Sequence, residues 1–383
     1  MVATDAPEQT TRADWTDFVH AGPGTLAGRY LRSFWQPVYR AQDLLPGRTM
    51  PIRIMGEDFT LYRGEGGAPH LAAFRCAHRG TQLSVGWVEG DSIRCRYHGW
   101  KFDERGQCVE QPGEEDASAA RVRIASYPVE EYLGLIFAYL GEGDPPPIRR
   151  YPDFDAPGVF EADPPEEWPC NYFNRAENDP YHTYWTHKES NRRREFPDRP
   201  WVPGESHYVE TDYGFALPKG HTSHFHMPNT MHLKTAVRVP GFEHLAEYRL
   251  IWHMPVDDTR CVAFDVNLVA GLLGDEGERF RAARRILQED DPQAPLDFAE
   301  NVLAGRARVE DMDSAFGAYK TFWIEDYVTL VGQGAIPDRA QERLGSTDQW
   351  MILKRQLWQR ELRALAEGHP LTAWRSPVLF PDQ

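Results

Sequence analysis

The sequence predicts an α+β chain in two parts, an all-β unit followed by a unit that mixes strands with helices. Three observations carry this expectation. Between about Met50 and Leu140, short runs alternate apolar and polar residues and are separated by glycine turns. A stiff polar stretch, Gly141-Glu142-Gly143-Asp144-Pro145-Pro146-Pro147, then interrupts the pattern. Beyond it, strand-like runs give way to helical spacing near the C-terminus. The expected division is an N-terminal helical segment (1–37), an all-β unit (38–143) and a mixed unit (144–383), which 383 residues are long enough to fill.

Each element has its own signal. The glycines of Gly22-Pro23-Gly24-Thr25-Leu26-Ala27-Gly28 follow no strand, and the third arrives one residue late for a dinucleotide-binding loop. They predict a turn feeding a helix. In the β unit, Ile52 and Ile54 alternate with polar neighbours, as do Val122 and Ile124, and turns fall at Gly56-Glu57-Asp58, Gly64-Glu65-Gly66-Gly67 and Glu104-Arg105-Gly106. Leu133 to Leu140 reads as a buried strand closing this unit. After the linker, strands are expected near Ser206–Phe215, Thr235–Val239, Glu247–His253 and Cys261–Val269. Trp350, Leu353, Leu357, Leu362 and Leu365 follow helical spacing, with Ser346 or Thr347 as cap and Gly368 as stop.

Composition narrows the class. A net charge of −16 argues against nucleic acid or an anionic membrane as the main partner. No run of about 18 apolar residues occurs, and the N-terminus lacks the basic and apolar regions of a secretory signal. Five cysteines, an odd number scattered along the chain, do not form a disulfide framework. A cytoplasmic protein is expected.

Two of those cysteines stand in paired spacing with histidine. Cys76-Ala77-His78 and Cys95-Arg96-Tyr97-His98 each offer a thiolate and an imidazole within a tight turn, and a glycine, Gly80 or Gly99, follows closely. Two Cys and two His match a Rieske [2Fe–2S] centre, where imidazoles replace thiolates on one iron and raise the potential. A zinc site uses the same ligand types but usually pairs Cys with Cys and His with His. The stretches Arg75-Cys76-Ala77-His78-Arg79-Gly80 and Cys95-Arg96-Tyr97-His98-Gly99-Trp100 resemble the Rieske domain of ring-hydroxylating oxygenases. They lack the extra cysteines of the respiratory type. Cys108, Cys170 and Cys261 carry no motif and are expected as buried thiols.

A second constellation follows the linker. Asp179, His182 and His187 form D-x₂-H-x₄-H. Five residues place the two histidines about 140° apart on a straight helix, so the helix must distort or end between them for both to reach one metal. Two His and one carboxylate on one octahedral face are the ligands of non-haem Fe(II) oxygenases, with positions left for O₂. The carboxylate candidate is Asp326, in the apolar helical run Phe322-Trp323-Ile324-Glu325-Asp326-Tyr327-Val328-Thr329-Leu330, where an unpaired charge would be costly. The motif followed by a late Asp resembles the mononuclear iron motif of Rieske oxygenase α subunits. That resemblance implies His182, His187 and Asp326 as iron ligands and Asp179 as a bridge to a cluster histidine of a neighbouring subunit. Many relatives separate the Glu-Asn pair from the bridging Asp by two residues, whereas Glu177-Asn178 abuts Asp179 here. Gly22 to Val38, and Gly332 to Arg339 continuing to Gly345, are similar to the phthalate dioxygenase and aryl-ether O-demethylase branch.

The resemblance implies a Rieske domain joined to a catalytic domain whose curved antiparallel sheet is covered by helices. It implies a terminal oxygenase that uses O₂ and electrons from a separate reductase or ferredoxin to hydroxylate a small aromatic substrate, at the ring or at an O-methyl group, in a homotrimer. The alternative is a Rieske electron-transfer protein without oxygenase activity. Arg75, Arg79, Arg94, Arg96, Lys101 and Arg105 surround the cluster motif and suggest a basic docking patch. Residues Lys219 to His232, with His221, His224, His226 and His232, are expected to line the substrate pocket as that branch implies, although a strand face is the plainer place for any single one of these histidines.

Overall fold

The computed structural model describes residues 14–114, 118–178, 185–193, 207–217, 222–237, 239–289, 293–312 and 316–380. The expected turn-then-helix at the glycines is present as α1 (Leu26–Arg32), capped by the Thr25 hydroxyl, which accepts from the Gly28 amide at 3.0 Å. A Cβ at Gly28 would fall 2.2 Å from the Gly22 carbonyl oxygen, so this glycine serves packing rather than phosphate binding.

Eleven short strands follow: β1 (Trp35–Arg40), β2 (Thr49–Ile54), β3 (Glu57–Arg63), β4 (Pro69–Ala73), β5 (Trp87–Glu89), β6 (Ser92–Arg94), β7 (Lys101–Phe102), β8 (Cys108–Glu110), β9 (Ser126–Tyr127), β10 (Val129–Tyr132) and β11 (Leu135–Tyr139). They form three small sheets, ordered β1-β11-β10, β2-β3-β4-β9 and β5-β6-β7-β8. Two expectations are corrected here. Leu133 and Gly134 belong to the β10–β11 turn, both at positive φ, so the buried strand starts at Leu135. Val122 and Ile124 follow a 3-10 turn (Ser118–Arg121), and only an isolated bridge between Gln107 and Arg123 pairs this stretch. The cause is spacing: two alternating residues are too few to separate a strand from a loop.

After the linker come β12 (Gly158–Ala162) and β13 (Glu166–Trp168), then α2 (Tyr172–Ala176) and α3 (Lys188–Arg193). Six further strands are β14 (Val209–Glu210), β15 (Gly214–Ala216), β16 (Ser223–His226), β17 (Thr230–Ala236), β18 (Ala246–Pro255) and β19 (Cys261–Ala270). They join one eight-stranded sheet in the order β12-β19-β18-β17-β16-β15-β14, with β13 also on β19. The run expected to begin near Thr235 starts at Thr230, and the one near Ser206–Phe215 divides into two strands. Helices α4 (Gly274–Glu289), α5 (Gln293–Leu303), α6 (Gly317–Val331) and α7 (Gln349–Ala366) complete the chain. α7 matches the periodic leucines and stops at Gly368, φ +71°, but Asp348, not Ser346 or Thr347, occupies its cap position. No described helix is long and apolar enough to cross a membrane.

The largest core forms where α1, α2 and α7 meet the sheet. Phe18 stacks on Phe173 at 4.9 Å, and Trp358 stands edge-on to Tyr30 and Phe173 at 5.0 and 5.3 Å. Lys354 is fully buried among these rings, 4.1 Å over Phe225, and donates to the Ala176 carbonyl at the end of α2. Burial pulls its ammonium down to about 7, against the attraction of Glu177. The unfolded chain therefore binds the extra proton between about pH 7 and pH 10, and stability rises with pH across that window, by up to about 1.4 kcal/mol per unit. Lys354→Met is expected to abolish this rise; urea midpoints of both proteins at about pH 7 and pH 9.5 will test it.

Candidate functional site

The first site is built from two loops of the same construction. In one, the Gly80 amide donates to the Cys76 carbonyl at 3.0 Å and Cys76 N–H to Thr81 O at 2.8 Å; in the other, Gly99 donates to Cys95 at 3.0 Å and Cys95 to Trp100 O at 2.9 Å. Both glycines take φ near +73°, the left-handed region that a side chain strains. An arginine before each cysteine braces its loop: Arg75 Nη1 donates to Gly80 O at 2.9 Å and Arg94 Nη1 to Gly99 O at 2.7 Å. The sequence reading missed these braces. Their signal was present, since Arg-Cys with Gly four residues after the Cys occurs in both halves.

The loops bring the four expected side chains together two by two, imidazole with imidazole and thiol with thiol. His78 and His98 rings lie 4.5 Å apart, His78 stacks on Trp100, and the Cys76 and Cys95 thiols interact. Burial pushes the Cys76 thiol up to about 11, although the His78 and Arg79 amides favour its thiolate. The His98 pKa is lowered, by desolvation first and then by His78 and Arg79, the direction that favours the neutral imidazole a metal needs. Nδ1 of His78 and of His98 are buried without a hydrogen-bond partner. A pair of imidazoles with orphaned nitrogens and a separate pair of buried thiols fit a [2Fe–2S] cluster held by Cys76, His78, Cys95 and His98, with two ligands of one kind on each iron. Cys108, Cys170 and Cys261 are buried free thiols, as expected.

The six-residue basic patch is corrected. Arg94 and Lys101 pair with Glu89 and Glu110, and Arg105 pairs with Glu104. Arg75, Arg79 and Arg96 make no ion pair among the described residues; Arg79 lies over Tyr97 and Arg96 over Trp87, two exposed aromatics near the cluster loops.

The second site lies under the large sheet. Asp179, His182 and His221 fall outside the described residues. His187 sits in the turn before α3, fully buried and stacked on Phe322 of α6 at 3.5 Å. Its Nε2 faces Asp326 Oδ1 at 3.2 Å and its Nδ1 faces Glu325 Oε2 at 3.5 Å. Burial opposes protonation, yet Asp326 and Glu325 together hold the His187 pKa above its ordinary value. Glu325 also accepts from the Glu189 amide at 2.7 Å, and Asn178 Nδ2 donates to Asp326 Oδ1 at 3.2 Å. Two donor atoms about 2.1 Å from one octahedral ion lie about 3 Å apart, so the His187–Asp326 spacing fits a shared metal.

Beside Asp326 opens a cavity of about 350 Å³. Trp168, Phe322, Trp323 and Asn178 form one side, and β17, β18 and β19 form the other through Met231, Leu233, Ile251, His253 and Asp265. The pocket region is only partly as expected. The stretch supplies Thr222, Ser223 and Met231, while His224, His226 and His232 are buried and do not line the cavity. Strand alternation explains this, because Met231 and Leu233 face the cavity and His232 between them faces the opposite side. Burial holds His226 well below its usual value and His232 down to about 3.

Residues 34–128 match the family described as "Rieske [2Fe-2S] domain". Over 370 residues the chain is 29% identical to 5,5'-dehydrodivanillate O-demethylase oxygenase subunit of Sphingobium sp. (strain NBRC 103272 / SYK-6), covering 94% of this chain and 82% of that one. It is 40% identical over 185 residues to phenoxybenzoate dioxygenase subunit alpha of Ectopseudomonas oleovorans, covering 43% and 44%. A structure of the oxygenase and ferredoxin complex of carbazole 1,9a-dioxygenase shares the fold at TM-score 0.62 and 19% identity, covering 92% and 95%. The domain match sets zinc aside as the occupant of the first site.

The twin loops make a graded prediction. A Cβ at Gly80 meets nothing within 4 Å, whereas one at Gly99 comes within 3.1 Å of Pro112 Cγ. Gly80→Ala should cost only the backbone term, about 1–2 kcal/mol, and keep its sulfide; Gly99→Ala should cost more and lower acid-labile sulfide per chain.

Proposed function

We propose that this chain is a Rieske non-haem iron oxygenase, and that it is the terminal oxygenase component hydroxylating a small aromatic substrate. The observation that carries this is His187 facing Asp326 at 3.2 Å on the edge of an aromatic-lined cavity. A pure electron carrier has no use for either. When bound, the cluster supplies single electrons and the mononuclear iron supplies reductive O₂ activation.

Cys76, His78, Cys95 and His98 would hold the cluster, and His182, His187 and Asp326 the Fe(II). Glu325 orients the His187 ring through Nδ1, leaving Nε2 toward the metal position, and Asn178 fixes Asp326 from the other side. Trp168, Trp323, Met231 and Ile251 exclude water and suit a ring, and the volume falls near the lower end of small-molecule sites, roughly 300–1,000 Å³. The O-demethylase and dioxygenase named above support ring hydroxylation or O-demethylation of an aromatic acid or phenol. The ferredoxin in the carbazole 1,9a-dioxygenase complex supports a separate electron donor, here docking near Arg75, Arg79 and Arg96. Asp179 would carry electrons to His182 from the cluster of a neighbouring copy in a cytoplasmic homotrimer, with domains divided near residue 143.

Anaerobically purified protein should hold about three irons and two sulfides per chain; about two irons that added Fe(II) does not raise would favour an electron carrier instead. His182→Ala should lose the mononuclear iron while the cluster colour remains, and unchanged iron would count against that ligand. Asp179→Ala should retain both metals yet stop reoxidation of the reduced cluster by O₂ in the presence of substrate. Normal turnover would refute its role.

A further inference from the structure

One branch-like stretch has no chemistry of its own: Gly332 to Gly345, the segment leaving α6. The structure gives it contacts at both ends of α2. The Asn171 amide, where α2 is capped, donates to Ala335 O at 2.8 Å. At the other end Glu177 is 8% exposed, the last residue before Asn178, and two arginines grip its carboxylate. Arg339 Nη2 donates to Glu177 Oε2 at 3.1 Å and to Asn174 Oδ1 at 3.2 Å. Arg355 of α7 donates to Glu177 through Nε and, at 3.0 Å, through Nη2, and its Nη1 reaches Glu342 at 2.5 Å.

The geometry thus ties three pieces of chain into one ionic knot around the buried Glu177 carboxylate: the end of α2, the segment that leaves α6, and α7. The first leads directly into Asn178 and on to Asp179 and His182, and the second continues the helix that carries Asp326. We propose that Arg339 and Arg355, acting through Glu177, are positioning residues that set the spacing between the histidine-bearing chain and Asp326, and so the fit of the mononuclear iron. This rests on the iron-site reading given above. Neither arginine lines the cavity. Their effect passes through Asn178, whose amide holds Asp326 at 3.2 Å. The two-point grip of Arg355 resists rotation of the Glu177 carboxylate as a single ammonium would not, and Arg339 adds one further bond.

The test is an Fe(II) titration of protein that carries its cluster but has been stripped of mononuclear iron, followed by the electron paramagnetic resonance signal of the ferrous nitric oxide adduct. Arg355→Met and Glu177→Gln should each weaken Fe(II) binding by about tenfold or more, as loss of outer support does at other metal sites, and broaden the adduct signal. Arg355→Lys, which keeps the charge without the fork, should fall between. Arg363→Met, on the exposed face of α7, should bind iron as wild type does. Cluster absorbance and sulfide content should be the same in all. Wild-type affinity and signal in both Arg355→Met and Glu177→Gln would overturn the proposal. If Arg355→Met does not fold, the isosteric Glu177→Gln decides alone. Failure of the wild type to bind a third iron would instead sink the iron-site reading.

Discussion

The period-two alternation of β17, β18 and β19 is the constraint on which the second site depends. Cross-strand partners on one face are Met231 with Ile251 and His253 with Ala263, and all four line the cavity. The partners between them, Trp252 with Phe264 and Leu250 with Val266, are buried in the main core. A slip of one residue would exchange the two sets, placing tryptophan and phenylalanine in the cavity and arginine and aspartate in the core. The two ten-residue strands β18 and β19, neighbours in the sheet, hold that register along their length. The cavity is therefore a consequence of the same pairing that fills the core.

Polar groups finish what the apolar pattern begins. Beneath the sheet, Glu325, Asp326, His187 and Asn178 are each placed by at least one of the others or by a backbone amide, because a buried charge without a partner would be expelled or neutralised. The cluster loops obey the same rule at smaller scale. Backbone amides and an arginine satisfy each loop's carbonyls, and the atoms left unsatisfied, Nδ1 of His78 and His98, are those a cluster would take. In both places the unsatisfied or closely opposed donor atoms mark where chemistry belongs.

Much of this was legible in residue spacing. The two Cys-His pairs, the helical leucines of α7 and the acidic pair in an apolar helix were each visible because their signal lies within one turn or one short run of chain. Other features were not. The pocket histidines could not be assigned to a face until the start of β17 at Thr230 was known, and that start depends on pairing with β18. The basic patch could not be reduced to Arg75, Arg79 and Arg96 until Glu89 and Glu110 were seen beside Arg94 and Lys101. Glu177, which reads as an ordinary solvated acid, is buried between arginines far along the chain.

By itself, then, the sequence determined the fold class, the cluster motif and the succession of an all-β part and a mixed part, because local periodicity and ligand spacing depend on neighbours within a few residues. Only the tertiary structure decided which face each strand presents, which charges neutralise one another, and that His187 and Asp326 meet at 3.2 Å. Those outcomes depend on contacts between residues far apart in the chain, and burial turns small differences in distance into large differences in electrostatic energy.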